Sequence, residues 1–245
     1  MPVRAACAQA LALAFPVACA GCGALDVALC DACRGMLRPE VTTRALADGL
    51  VVRSGLPFDG VPARVLRALK EEGRTSLARA LGPALAAALG DGPGVVVPVP
   101  TSRAAMRRRG YRVAELLARR AGARPLRALR VVRTTADQRG LSRTARTDNV
   151  TGSLRATRRL DGLEVIVVDD VVTTGATLVE AARALRAAGA QVRAAATVAA
   201  TPRRYPEADA GVLSGGVTQG ALRRGDAGVL SEERCGGDFR GMTLR

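Results

Sequence analysis

Residues Val165–Leu178 read Val-Ile-Val-Val-Asp-Asp-Val-Val-Thr-Thr-Gly-Ala-Thr-Leu. Four apolar residues, Val165 to Val168, predict a short buried strand. Asp169 and Asp170 stand at its C-terminal end, and Thr173, Thr174, Gly175, Ala176 and Thr177 form a turn that opens a helix running to about Ala188. Carboxylates accept hydrogen bonds from sugar hydroxyls. Loop amides, Thr hydroxyls and a helix N-terminus hold a phosphate. The bland alternative is turn chemistry alone, with Thr and Asp acting as caps. Two like charges side by side are a poor choice for a turn alone, and the end of a parallel strand is the usual ligand crevice of an open α/β sheet. The segment therefore reads as a sugar-phosphate site.

A chain of 245 residues can bury one α/β core and still carry an appendage. Tryptophan is absent and aromatics make up 2%, so the core must be built from Ala, Val and Leu. The absence of histidine excludes His-based acid–base catalysis, Cys-His nucleophile pairs and every His-containing metal site. The net charge of +15 is concentrated: Thr101 to Arg159 holds 17 Arg against 3 acids. That stretch is either a solvated basic face or a surface for pyrophosphate or nucleic-acid phosphates. With Tyr111 its only aromatic, any nucleic-acid binding there would be electrostatic and salt-sensitive. Lys70 is the single lysine of the chain. It is either a chance survivor among arginines or a compact point charge wanted at a phosphate.

Four of the six cysteines form Cys-x-x-Cys-Gly-x6-Cys-x-x-Cys at Cys19, Cys22, Cys30 and Cys33. A redox pair or a disulfide staple would use one such motif. Two this close fit tetrahedral thiolate ligation of Zn2+, and with four thiolates the site is structural, leaving no position for a reactive water. Gly21 and Gly23 are expected to give the first knuckle its backbone freedom. Cys7 and Cys235 read as bystanders. Ala5 to Ala18 is apolar, but one preceding Arg, Pro16 and the knuckle beginning at Cys19 argue against a signal peptide. No stretch reaches membrane-span length, and the expected location is cytoplasmic, with no membrane insertion.

Three regions follow: residues 1–45 as a four-cysteine zinc-finger module, 46–202 as an α/β domain, and 203–245 as a disordered tail rich in Gly and charge. Within the middle region the patterning predicts a strand and turn over Val51–Asp59 and a helix over Val61–Lys70 that stops near Gly73. A second helix covers Ser76–Leu89, interrupted or restarted at Pro83. A strand over Gly94–Val99, a helix over Tyr111–Ala121 and a strand over Leu129–Arg133 come next. Thr134–Thr151 has no apolar period and reads as a long mobile loop. The final strand is Gln191–Ala199.

The Val165–Leu178 segment closely resembles the phosphoribosyl-pyrophosphate (PRPP) signature of type I phosphoribosyltransferases. Phe15-Pro16 and the four cysteines resemble the N-terminal zinc finger of the ComF family (ComF/GntX-like proteins). Lys70, Gly73 and Arg74 resemble that family's Lys-x-x-Gly-Arg block. Pro98-Val99-Pro100, Arg103 and Arg107 to Tyr111 resemble its pyrophosphate-loop region, and Thr135, Gln138, Leu141, Arg146, Asn149-Val150 and Gly152 its loop before the signature. Together these blocks cover about residues 15–200. One departure stands out: Arg112 and Val113 follow Tyr111 where the family commonly has Asn-Gln, which puts an acceptor or pyrophosphate contact in doubt.

The resemblance implies a type I phosphoribosyltransferase core, an α/β fold with a central parallel sheet and a small N-terminal zinc module of four cysteines. It implies displacement of pyrophosphate from C1 of PRPP by a nucleophile, with Mg2+ held mainly by diphosphate, ribose hydroxyls and water. It implies PRPP-site roles for Asp169 and Asp170 as catalytic acids on the ribose, for Thr173 to Thr177 on the 5′-phosphate, and for Lys70 and Arg103. Two other readings stay open: an accessory protein of DNA uptake that binds single-stranded DNA alongside competence or DNA-processing proteins, and a sensor of PRPP that does not turn it over.

Overall fold

The computed structural model describes residues 17–92, 94–133 and 150–202. The expected tail, most of the expected loop (residues 134–149), Cys7 and Cys235 lie outside them. A five-stranded sheet carries the fold, built from β1 (Thr42–Ala45), β2 (Val51–Pro57), β3 (Val95–Pro98), β6 (Glu164–Val172) and β7 (Gln191–Ala200) in the order β1-β2-β7-β6-β3. All its pairings are parallel except that of β1 with β2. A hairpin of β4 (Leu129–Val131) and β5 (Leu154–Ala156) stands apart from it.

The strand Val165–Val168 is buried on both faces, as an interior parallel strand must be. Its side chains alternate between two cores. Ile166 and Val168 pack with Val96 and Val198 under α2 (Gly60–Glu71), α3 (Ala78–Leu89) and α5 (Val113–Arg120). Val165 and Val167 pack with Val97 and Ala195 under α6 (Ala176–Arg186). Among the described residues the remaining α-helices are short: α1 (Asp31–Gly35) in the cysteine segment and α4 (Arg103–Arg109) after β3.

Several elements differ from expectation. β6 does not end at Val168 but runs through the acid pair to Val172, because β7 continues alongside it, with Val171 opposite Ala199 and Val172 opposite Ala200. Pro83 does not break its helix; it sits inside α3 on the exposed side, where water can take the carbonyl that loses its partner. The same helix approaches closely on its buried side. A Cβ on Gly55 would lie 2.0 Å from the Ala84 carbonyl oxygen, and one on Gly82 2.5 Å from that of Arg120. Helix α4 is absent from the patterning because its Arg-Ala-Ala-Met-Arg-Arg-Arg sequence buries no residue. Ser102 caps it by accepting from the Ala105 amide at 3.2 Å.

Two buried carboxylates tie the periphery to the core. Glu115, 3% exposed, accepts from Arg127 at 2.7 and 2.8 Å and lies 2.6 Å from Arg119 and 3.8 Å from Arg112. Arg112 is thus engaged within the fold, and Val113 is a core residue. Glu180 accepts from the Leu154 amide at 3.0 Å and from Arg183 at 2.7 Å, fastening β5 onto α6. Hydrogen bonds from Arg127, opposed by burial, hold the Glu115 carboxyl below its ordinary range. A depressed folded value gives stability that is present above the unfolded pKa and lost as pH falls through the folded one. Glu115→Gln is therefore expected to cost about 2 kcal/mol at neutral pH. It should also flatten the acid limb of a melting-temperature profile, and an unchanged profile would show that the cluster does not couple to folding.

Candidate functional site

Alternation along β6 sends Asp170 to the α2 face, and there it meets Lys70. The ammonium lies 2.8 Å from Asp170 Oδ2, with the two side chains 29% and 11% exposed. The single lysine of the chain thus pairs with one of the two expected site acids. Asp169 points the other way and accepts from the Asp170 amide through Oδ1 at 2.8 Å. Burial, and then the neighbouring Asp170 charge, push the Asp169 carboxyl up to about 7, against the opposing pull of that amide and of Lys70. One acid is neutralised by a cation, and the other is poised to gain or lose a proton near neutrality.

The turn after β6 is held from the β1–β2 side. Gly175 has φ +87°, a left-handed conformation that favours glycine, and a Cβ there would strike Leu46 at 2.6 Å. Arg44 donates to the Thr173 carbonyl at 2.8 Å. Thr174 Oγ1 accepts from the Ala176 amide at 3.3 Å, and α6 begins at Ala176, its first-turn amides having no partner within the helix, which suits an anion. Beside this turn lies a cavity of about 480 Å³ lined by Leu46, Ala47, Thr174, Ala176, Val179 and Arg186 among others. The acid pair does not line it.

Strand β3 ends level with Val168, and the Val99 amide donates to the Val168 carbonyl at 2.8 Å. Pro100 to Arg103 therefore leave the sheet at the same edge as the acids, and Arg103 is exposed at the start of α4. The structure brings Lys70, Asp169, Asp170 and the Thr173–Thr177 turn to one end of the sheet, with Arg103 on the neighbouring connection. Sequence reasoning missed Arg44, on the four-residue strand β1, and Leu46, just beyond its end, which brace the turn from a segment too short to carry a pattern. Tyr111, placed by resemblance in the pyrophosphate-loop block, also serves where the sequence gave no sign: its hydroxyl donates to the Leu69 carbonyl beside Lys70.

The four cysteine sulfurs lie within 4.8 Å of one another. Cys19 and Cys22 Sγ are each 3.7 Å from Cys30 Sγ. Sulfurs at about 2.3 Å from a tetrahedral metal stand about 3.8 Å apart, so the cluster fits a structural metal. Burial raises the Cys19 thiol, but the amides of Cys30, Cys22 and Gly21 win and bring it to about 6. Burial and the neighbouring thiols drive Cys33 up to about 12. Thiols so divided resist carrying charge together without a cation among them. Gly23 turns with φ +81° as expected, but Gly21 serves space: a Cβ there would lie 2.5 Å from Cys33 Sγ and 3.0 Å from Val61. Cys19, Leu29, Cys33 and Leu37 join the α2-side core, so the cysteine segment packs on the sheet domain.

The phosphoribosyl transferase domain family matches residues 104–219. No curated protein matches the chain. Among solved structures, the chain is similar to a glutamine phosphoribosylpyrophosphate amidotransferase from B. subtilis complexed with ADP and GMP, with 26% identity and a TM-score of 0.35. That match covers 51% of this chain and 26% of the other, so this chain spans about a quarter of the amidotransferase. It is also similar to an orotate phosphoribosyltransferase from Mycobacterium tuberculosis H37Rv, in complex with Fe(III) dicitrate, with 21% identity over 67% of this chain and 79% of that one and a TM-score of 0.34. The domain match and the mostly parallel sheet define the class: the core has the type I phosphoribosyltransferase fold, beside a cysteine cluster able to hold a metal.

A raised acid destabilises the fold above its folded pKa, and that penalty is relieved as pH falls toward the unfolded value. Carbon-13 NMR of labelled aspartates should show one carboxyl titrating near pH 7 that is absent in Asp169→Asn. If every aspartate titrates below pH 5, burial does not control Asp169.

Proposed function

We propose that the chain is a ComF-type phosphoribosyltransferase-like protein that binds PRPP and transfers its phosphoribosyl group to an acceptor, releasing pyrophosphate. The observation that carries this reading is the acid pair, one member neutralised by Lys70 at 2.8 Å, standing directly before a glycine-hinged turn at a helix N-terminus. In this reading Asp169 and Asp170 accept hydrogen bonds from the ribose hydroxyls. Thr173 to Thr177 hold the 5′-phosphate through first-turn amides and hydroxyls. Arg103 and Lys70 face the pyrophosphate side, where positive charge favours departure of the leaving group.

The bond from C1 to the pyrophosphate oxygen breaks as the acceptor bonds to C1. The transition state is oxocarbenium-like, so the protein's work is positioning and electrostatics. The hard carboxylate oxygens fit Mg2+, which when bound would neutralise diphosphate charge. Cys19, Cys22, Cys30 and Cys33 would hold structural Zn2+. A reduced thiolate cluster suits the cytoplasm, and no helix among the described residues is long and apolar enough to cross a membrane. The proposed division is a zinc module over residues 1–45, the transferase-like domain over 46–202 and a tail over 203–245.

A second reading, an accessory protein of DNA uptake, has one observation in its favour: Arg103, Arg107 and Arg108 are exposed together on α4. Single-stranded DNA lying there would be held by phosphate contacts and lost with salt.

Calorimetry with PRPP and magnesium tests the first reading. Asp170→Asn should weaken binding by about 1–3 kcal/mol, the scale of a lost charged hydrogen-bond partner. Wild-type affinity in the Asp169→Asn/Asp170→Asn double variant contradicts the assignment. Binding of an oligonucleotide at low salt that PRPP does not displace would favour the second reading. Elemental analysis should find one zinc per chain, released by Cys30→Ser, and zinc-free protein from a chelator-free preparation would remove the metal assignment.

A further inference from the structure

Lys70 stands on the last turn of α2, and that turn is braced from two sides. From the core side, the Tyr111 hydroxyl donates to the Leu69 carbonyl. From the other side comes Arg74. Its backbone amide closes on the Ala68 carbonyl at 3.3 Å, past Gly73 at φ +72°. Its side chain then turns to the cysteine segment, where Nη2 donates to the carbonyls of Ala18 and Ala28, each at 2.8 Å.

Those two carbonyls belong to the cysteine knuckles. Ala18 precedes Cys19, and Ala28 stands two residues before Cys30. The two strands of the knuckle are themselves joined there, since the Ala20 amide donates to the Ala28 carbonyl at 3.1 Å and the Cys19 amide to that of Ala24 at 2.7 Å. The spacing of the Ala18 and Ala28 carbonyls is thus set by the backbone fold of the same knuckles that gather the four sulfurs. One guanidinium reaches both only while they are held together. Arg64 also joins helix to knuckle, donating to the Gly21 carbonyl, but from the middle of α2, six residues before Lys70.

We propose that Arg74 is a positioning residue through which the four-cysteine module holds Lys70 against Asp170. When the knuckles are gathered around a metal, Arg74 fixes the end of α2 and the ammonium sits on the carboxylate. When they open, that end is released and Asp170 loses its cation. The consequence for PRPP binding rests on the phosphoribose reading above; the Lys70–Asp170 contact itself does not.

The single lysine makes the test direct. An amine-acylating reagent modifies Lys70 and, in a separable peptide, the chain's amino terminus. Mass spectrometry of the Lys70 peptide then gives the rate at which the ion-paired ammonium becomes available, without any PRPP present. Wild type should react slowly and Asp170→Asn fast. Arg74→Ala, which loses both bonds to the knuckles, should accelerate acylation by at least about tenfold, the equilibrium factor for a single charge-assisted contact. Arg74→Gln, which keeps one donor, should fall between, and serves if the alanine variant does not fold. Chelator treatment of the wild type should raise the rate as Arg74→Ala does. Arg64→Ala, which loosens the same module away from Lys70, should leave the rate near wild type. The proposal is overturned if Arg74→Ala and Arg74→Gln both react at the wild-type rate, if chelation leaves the rate unchanged, or if Arg64→Ala accelerates it equally. Failure of all proteins to bind PRPP would count against the function proposed above and leave this result standing.

Discussion

Two adjacent carboxylates on an interior strand of a mostly parallel sheet impose a constraint that much of this molecule answers. Strand β6 is walled by β3 and β7 and covered on both faces, so Asp169 and Asp170 cannot both be solvated as ordinary surface acids. Alternation separates them onto opposite faces. Asp170 receives the ammonium of Lys70 on the α2 side. Asp169 keeps an amide donor and is pushed toward neutrality. The result is one compensated acid and one acid pushed up by burial, side by side just before the N-terminus of α6.

The compensation reaches far from the acids. Lys70 depends on the end of α2, which is held by Tyr111 from one side and Arg74 from the other. Arg74 in turn leans on the cysteine knuckles, whose Cys19 and Cys33 are buried in the same core as Val65 and Leu69. The cysteine cluster, the helix and the acid pair thus form one mechanical series. The Thr173–Thr177 turn is braced separately by Arg44 and Leu46 from the β1–β2 side. The two halves of the candidate site are supported by different parts of the chain.

Much of this was legible in the sequence where local pattern and chemistry coincide. The apolar run Val165–Val168, the acid pair, the Thr-Gly turn and the helix behind it were readable because strand period, glycine and helix onset agree. The paired Cys-x-x-Cys spacing announced the cluster. The length of β6 was not readable, because its extension past Asp170 is imposed by pairing with β7. Helix α4 was hidden because seven residues with four arginines and no buried position have no amphipathic signature. Lys70 stood out as the single lysine, yet its partner, 100 positions further along, is a tertiary fact. Gly21 was noticed for the wrong reason: its freedom matters less than the space Cys33 and Val61 leave it.

The central claim is that the acid pair and the Thr173–Thr177 turn together hold a 5-phosphoribosyl group. A crystal structure of the protein grown with PRPP and magnesium tests it most directly. The account predicts the 5′-phosphate at the first-turn amides of α6 and ribose hydroxyls within hydrogen-bond distance of Asp169 and Asp170. Electron density for PRPP on the α4 arginines alone, with the acid pair and the turn unengaged, would contradict it.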